Sequence, residues 1–268
     1  MPVSSAYCDG VPRISYLAVD VAGRVLAARE ADAVFYSAST IKLAVLIAAA
    51  RQVDAGQLSL QLPVTVRDRF PSRIPDAGDF AFDPAEVDRG MPPVGGTISL
   101  AAALGRMIYA SSNSATNMVL ELTGMEAAAE ALHLCGASSS RLERLISDHP
   151  ARDAGFTHET TAADLARIMH TIVSGAAAGP ASTRFMMKQL RRQEHSVIGT
   201  TLPAPTDWGS KSGWVDGIHH DVAFIGTPGD AGSYVLAVCT QGFEQEQAVE
   251  IIRSIAWAVQ SGATVSLP

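Results

Sequence analysis

Two kinds of hydrophobic pattern divide this chain. "RISYLAVDVAGRVLAAREA" alternates apolar and polar residues on both sides of Ala22-Gly23, which predicts a β-hairpin. An apolar run from Leu43 to Ala50 follows, and residues 39–55 read as a helix that stops before Gly56. From Pro63 to Gly96 the periodicity is lost and Pro, Gly and Asp dominate. This is a long irregular connection of a kind that often carries function. Helical spacing returns in "TISLAAALGRMIYASS", with Thr97 or Ser99 as N-cap, and in "SATNMVLELTG", which ends at Gly124. Further helices are expected at 125–135, 161–174 and 180–193. The tail reverts to strand in "WGSKSGW", "DVAFIGT" and "SYVLAVCTQ", with Pro228-Gly229 turning between the last two. The amphipathic helix "EQEQAVEIIRSIAWAVQ" follows.

Two strands, a helical middle, three strands and a closing helix make an α+β fold, because the helices are segregated from an antiparallel sheet. The sheet, of about five strands, is assembled from both chain ends and flanked by helices, with an all-helical lobe inserted. Residues 1–268 are expected to form a single unit, with an α/β lobe from 1–38 plus 200–268 and the helical lobe over 39–199. A chain of 28.1 kDa is large enough to bury a substantial core.

Composition narrows the function classes. With 47% apolar and 18% charged residues the chain is ordinary globular protein rather than disordered. A formal net charge of −7 argues against a nucleic-acid backbone or an anionic membrane as main partner. A monomer acting on a small molecule is the expectation. Cys8, Cys135 and Cys239 show no CxxC or His/Cys spacing, which fits three unpaired thiols in a reducing compartment and leaves one disulfide open. The start, "MPVSSAYCDGVPRISY", lacks a charged leader followed by an apolar stretch, and the run after Lys42 is too short to span a bilayer. The expected location is cytoplasmic as written, or outside if a leader was trimmed.

Lysine is used sparingly: Lys42, Lys188 and Lys211 are the only three. Lys42 lies one helical turn after Ser39, so both sit on one face. A serine attacks only when a base takes its proton, and a lysine is a base only where desolvation or nearby positive charge destabilises its ammonium. An apolar helix supplies that desolvation. Taken alone, Ser-x-x-Lys equally suits a lysine snorkelling from a helix end beside an ordinary serine. In "YASSNSATN", Ser111 and Asn113 flank Ser112 after a helix end, where a turn can aim both side chains into one cleft or merely satisfy local backbone. In "WGSKSGWVDG", Lys211-Ser212-Gly213 lies mid-strand. Gly213 admits a close backbone approach, unless this is only an edge strand protected by its lysine.

Ser-x-x-Lys, Ser-x-Asn and Lys-Ser-Gly in this order resemble the penicillin-recognising serine enzymes, class A β-lactamases in particular. The likeness extends through "YSASTIKLAVLIAAARQVDAGQLSL", "TISLAAALGRMIYASSNSATNMVLELTG" and "SKSGWVDGIHHDVAFIG", and covers residues 12 to 262. It implies acylation at Ser39, with Lys42 as proton acceptor and Ser111 passing a proton to the leaving nitrogen. Asn113 would hold the substrate amide, and Lys211 and Ser212 its carboxylate. The N–H groups of Ser39 and Trp214, beside Gly213, would form the oxyanion hole. The substrate would be a β-lactam or a D-amino-acid amide or ester, with no metal and no organic cofactor.

The resemblance fails at two places. Where the family carries an Ω-loop glutamate that activates the deacylating water, this chain reads Leu145-Ile146-Ser147-Asp148-His149 in a loop one residue shorter. Glu143 matches a structural acidic position and is not promoted to a base. Asp148 or His149 is the candidate replacement, although a surface Asp-His pair before Pro150 is more often only a loop; without a replacement, deacylation is expected to be slow. The strand arginine often used for the carboxylate is replaced by "HHD", so His219 or His220 is the candidate there, against a plain solvated strand start. Ser112 stands where class A usually has aspartate, a change expected to affect rigidity. The reading is a β-lactamase-like serine hydrolase. Its rivals are a D-alanyl peptidase, esterase or acyl-transferase, and a non-catalytic covalent β-lactam binder.

Overall fold

The computed structural model describes residues 3–262, so the first two and last six positions of the expected 1–268 unit lie outside the described residues. Strands β1 (Arg13–Asp20) and β2 (Val25–Arg29) form the opening hairpin. Asp20 closes it by accepting from the N–H groups of Ala22 and Arg24, both at 2.9 Å. The short strand β3 (Phe35–Tyr36) and a 3-10 turn over Ala38–Ile41 lead into helix α1 (Lys42–Asp54).

The stretch read as irregular holds three three-residue strands, β4 (Pro63–Thr65), β5 (Arg69–Pro71) and β6 (Asp79–Ala81), and a fourth, β7 (Thr97–Ser99), follows it directly. β4 pairs with β7 and β5 with β6, and Phe70, Phe80 and Phe82 pack together beside the second ribbon. Strands this short show no alternation, which is why the sequence pattern missed them. Helices α2 (Leu100–Tyr109), α3 (Asn113–Thr123) and α4 (Met125–Leu134) come next. They are followed by β8 (Arg141–Leu142), α5 (His149–Asp153), β9 (His158–Thr160), α6 (Ala162–Val173) and α7 (Pro180–Leu190). Ser99 caps α2 through a 3.2 Å bond from the N–H of Ala102, whereas Thr97 pairs with Thr65.

Strands β10 (Trp208–Val215), β11 (Ile218–Ile225) and β12 (Tyr234–Gln241) and helix α8 (Gln245–Ser261) end the described chain. The sheet runs β10-β11-β12-β1-β2, antiparallel throughout, so five strands from both chain ends make one sheet as expected. Both faces are covered. Leu17, Val19, Val222, Phe224, Val235 and Ala237 point into the core shared with α6 and the other helices. Ile14, Tyr16, Ala223, Leu236 and Val238 pack with Ile252 and Ile255 of α8. The two-residue periodicity therefore feeds two cores, and β11 and β12 are buried nearly throughout. β10 is left as an edge.

Helix α1 threads the middle of the helical layer against α3, α4 and α7, and every residue from Lys42 to Ala50 is buried. A helix apolar on all sides belongs in such a place. Among the described residues, no helix is long and apolar enough to cross a membrane, and Cys8, Cys135 and Cys239 are free thiols.

Candidate active site

Ser39 stands on the 3-10 turn just ahead of α1, and Lys42 is the first residue of the α-helix itself. The preceding Ala38 has φ of 46°, a left-handed backbone that non-glycine residues rarely adopt. Edge strand β10 lies directly behind this turn. A Cβ built on Gly213 would come 2.6 Å from the Ser39 nitrogen and 2.8 Å from that of Thr40. Only glycine fits.

Lys42 is fully buried, and its Nζ donates to Ser111 O and to Asn113 Oδ1, both at 2.7 Å. Ser111 Oγ is 3.4 Å from the same nitrogen and accepts from Lys211 Nζ at 3.0 Å. One hydroxyl is thus bracketed by two buried amines. Ser111 reaches this position with φ of 57°, again left-handed, on the turn between α2 and α3, while Ser112 caps α3 through the N–H of Ala115 at 3.3 Å. Burial drives the Lys42 ammonium well below its ordinary range and the charge of Lys211 adds to this, with Glu86 and Asp88 opposing. Burial brings Lys211 down to about 7, against the attraction of Asp221. These are the conditions under which a lysine holds a lone pair near neutrality.

A cleft of about 1130 Å³ opens over this cluster, lined among others by Tyr36, Ser39, Ser111, Asn113, Trp214 and His219. Lys211 and Gly213 share the β10 face turned toward the Ser39 turn, and Ser212 alternates to the other face. Ser212 Oγ is buried without a hydrogen-bond partner, and it is the Ser212 carbonyl that Lys211 engages, at 2.6 Å. Trp214, 38% exposed, stands between His195 and His219, with ring centroids at 5.1 and 6.1 Å.

The His219-His220-Asp221 segment is not a solvated strand start. It enters a strand paired on both sides and covered on both faces, and all three residues are buried. His220 Nε2 contacts Tyr36 O at 2.9 Å and its Nδ1 accepts from the N–H of Thr240 at 3.2 Å, so neither ring nitrogen is left for a substrate. His219 lines the cleft with both ring nitrogens unpartnered. Burial lowers each imidazole to about 4, so both are neutral near pH 7. Asp221 Oδ2 accepts from Ser196 Oγ at 3.0 Å and from the N–H groups of Val197 and Ile198 at 2.7 and 2.9 Å.

Asp148 and His149 do not stand in for the missing base. Asp148 is fully buried and spent on structure. It accepts from Ser72 Oγ and Arg73 N, both at 2.8 Å, and caps α5 through the N–H of Ala151. His149 is exposed, and neither residue lines the cleft. An Asp-His-Pro run reads equally well as a base pair or as a helix cap with proline in the first turn, and the structure uses it as the cap.

Sequence reasoning missed Glu86. It comes from a 3-10 turn (Pro84–Glu86) in the Pro63–Gly96 segment, and Ala85 to Arg89 line the cleft. Glu86 Oε2 accepts from Asn113 Nδ2 at 3.1 Å and from Ser147 Oγ at 2.5 Å. Asp83-Pro84 signals a capped turn, and nothing local shows where that turn docks.

The chain is similar to known proteins over nearly its whole length. The Beta-lactamase enzyme family matches residues 4–261. A solved beta-lactamase from Sphaerobacter thermophilus DSM 20745 is 27% identical, with TM-score 0.78, covering 96% of this chain and 94% of that one. A protein described as PBP-A shares 21% identity at TM-score 0.75, covering 94% and 89%. An ancestral (GNCA) class A beta-lactamase shares 23% at 0.74, covering 94% of each. No curated protein matches.

Proposed function

The chain belongs to the beta-lactamase enzyme family, and we propose that it opens β-lactam or related amide bonds through an ester at Ser39 and deacylates slowly. The bracketing of Ser111 Oγ by Lys42 and Lys211 carries this reading. Lys42, whose burial disfavours its ammonium, takes the Ser39 proton as Oγ bonds to the substrate carbonyl carbon. The N–H groups of Ser39 and Trp214 hold the oxyanion between the 3-10 turn and the β10 edge. Ser111 passes a proton to the leaving nitrogen as the C–N bond breaks, and Lys42 replaces it with the proton taken from Ser39. Asn113, fixed by Lys42, presents its amide to the substrate.

Intact-mass measurement with a penicillin tests this. A transient adduct of the wild type is expected, absent from Ser39→Ala. A wild type that never takes up the acyl group would remove the β-lactam link. A second reading, a D-alanyl peptidase, esterase or acyl-transferase on the same scaffold, is favoured by Asp148 being locked and His149 lying outside the cleft. It requires an adduct that persists in water and is released by an added amine. Persistence without such release points to a covalent binder.

Lys211 also sets a pH dependence. Its ammonium is present below about 7 and lost above it. Attraction for a substrate carboxylate should therefore weaken as pH rises from 6 to 8.5. A charge-assisted bond contributes about 1.5–3 kcal/mol, and the ammonium fraction falls about 30-fold over this range, so KM for a carboxylate-bearing lactam should rise about 10- to 30-fold. KM for its methyl ester, measured in parallel, should stay flat; equal behaviour of the two would remove Lys211 from carboxylate binding.

A further inference from the structure

We propose that Glu86 is the base that activates the hydrolytic water, a role that rests on the Ser39 acyl-enzyme reading. Ser39, Glu86 and Asn113 line the same cleft, and Glu86 meets Asn113 directly, at 3.1 Å. Asn113 in turn receives Lys42 at 2.7 Å, so a short polar chain links this carboxylate to the amine beside the nucleophile. Both of its hydrogen bonds fall on Oε2, which leaves Oε1 to accept from a water in the cleft.

The other carboxylates of the cleft do not qualify. Asp88 is tied to Arg106, with Asp88 Oδ2 to Arg106 Nε at 2.8 Å, and among the described residues Glu86 has no ion-pair partner. Glu194, Asp216 and Glu244 line the same cleft, yet none of them bonds to Lys42, Ser111 or Asn113 among the described residues.

The loop that carries Glu86 is anchored on both sides. Asp83 accepts from the N–H of Ala85 at 2.8 Å, and Asp88 joins the turn to α2 through Arg106. On the far side of the carboxylate stands Ser147, whose φ of 63° is left-handed and whose Oγ donates to Glu86. A strained serine spent on holding a carboxylate over the cleft is the kind of distortion a fold keeps at a working site.

The step balances without any co-reactant. Water oxygen bonds to the acyl carbonyl carbon as one of its protons goes to Glu86, and the oxyanion rests on the Ser39 and Trp214 N–H groups. Collapse breaks the bond from that carbon to Ser39 Oγ, which takes the proton back from Glu86. The products are a carboxylic acid and the free serine.

The test is an acid-quenched mass time course with a penicillin on full-length wild type, Glu86→Gln and Glu86→Ala. Removing one acid/base group costs about 10²–10⁴-fold. The Glu86→Gln adduct should therefore outlast the wild-type adduct by about that factor, while its rate of formation, which also reports correct folding, changes by much less than that factor. Added formate should shorten the life of the Glu86→Ala adduct, a rescue that a merely structural carboxylate would not allow. Equal adduct lifetimes in wild type and Glu86→Gln, or loss of the acylation step in place of deacylation, would overturn the role of Glu86 alone. No adduct on any of the three proteins would overturn the acyl-enzyme reading and this role together.

Discussion

Lys42→Met should form the Ser39 ester about 10²–10⁴-fold more slowly than the wild type. Methionine keeps the unbranched apolar stem and is one atom shorter, so α1, buried from its first residue to Ala50, should still fold. What is lost is the lone pair, together with the two 2.7 Å bonds by which Nζ holds Ser111 O and Asn113 Oδ1. Lys42 sits where burial and the second lysine both disfavour its ammonium, and no other amine shares its position one turn from Ser39. The loss should fall on the acylation rate, because the oxyanion N–H groups and Lys211 remain in place. Single-turnover kinetics with a chromogenic cephalosporin separate that rate from binding. A Lys42→Met enzyme acylated at the wild-type rate would mean that another group takes the serine proton.

How far this site was legible depends on where its parts lie in the chain. Ser39 and Lys42 were readable because one helical turn joins them and the helix is apolar on all sides. Lys211 and Gly213 were readable because a lysine and a glycine inside a strand need a reason, and the backbone of the Ser39 turn supplies it. His219-His220-Asp221 was misjudged because polar residues at a strand start usually face water. Burial there follows from β12 and β1 closing the sheet beyond β11, which depends on a strand near the opposite end of the chain. Asp148 was misjudged for a related reason. A carboxyl that caps a helix and a carboxyl that serves as a base look alike until its donors, here Ser72 and Arg73, are in place. Glu86 left no local trace, since a capped turn does not say what it docks against. Among the described residues, three of the four left-handed non-glycine residues, Ala38, Ser111 and Ser147, line the cleft. Strain of that kind is concentrated at the site and is not visible in a run of small polar residues.

Gly213→Ala should damage stability and chemistry together. The added methyl would meet the Ser39 nitrogen at 2.6 Å and the Thr40 nitrogen at 2.8 Å. Both are backbone atoms, and their turn is held by the bond from Ser37 N to His158 O at 3.0 Å and by Thr40 Oγ1 to Ser37 O at 2.6 Å. The turn cannot yield as the end of a long side chain would, so β10 must move instead. β10 is paired on one side only, with β11, and it is the element free to swing away. Overpacking of this kind costs about 1–3 kcal/mol, which a chemical denaturation midpoint would register. Moving β10 also carries the Trp214 N–H away from that of Ser39 and draws Lys211 off Ser111. Losing one oxyanion donor alone costs about 10²–10³-fold in rate. Lys42 and Asn113 sit on other elements and should keep their bond, so the protein should stay folded with a slowed acylation step. A Gly213→Ala protein that melts and acylates like the wild type would mean that the strand edge and the serine turn do not work against each other, and the oxyanion site would have to be sought elsewhere.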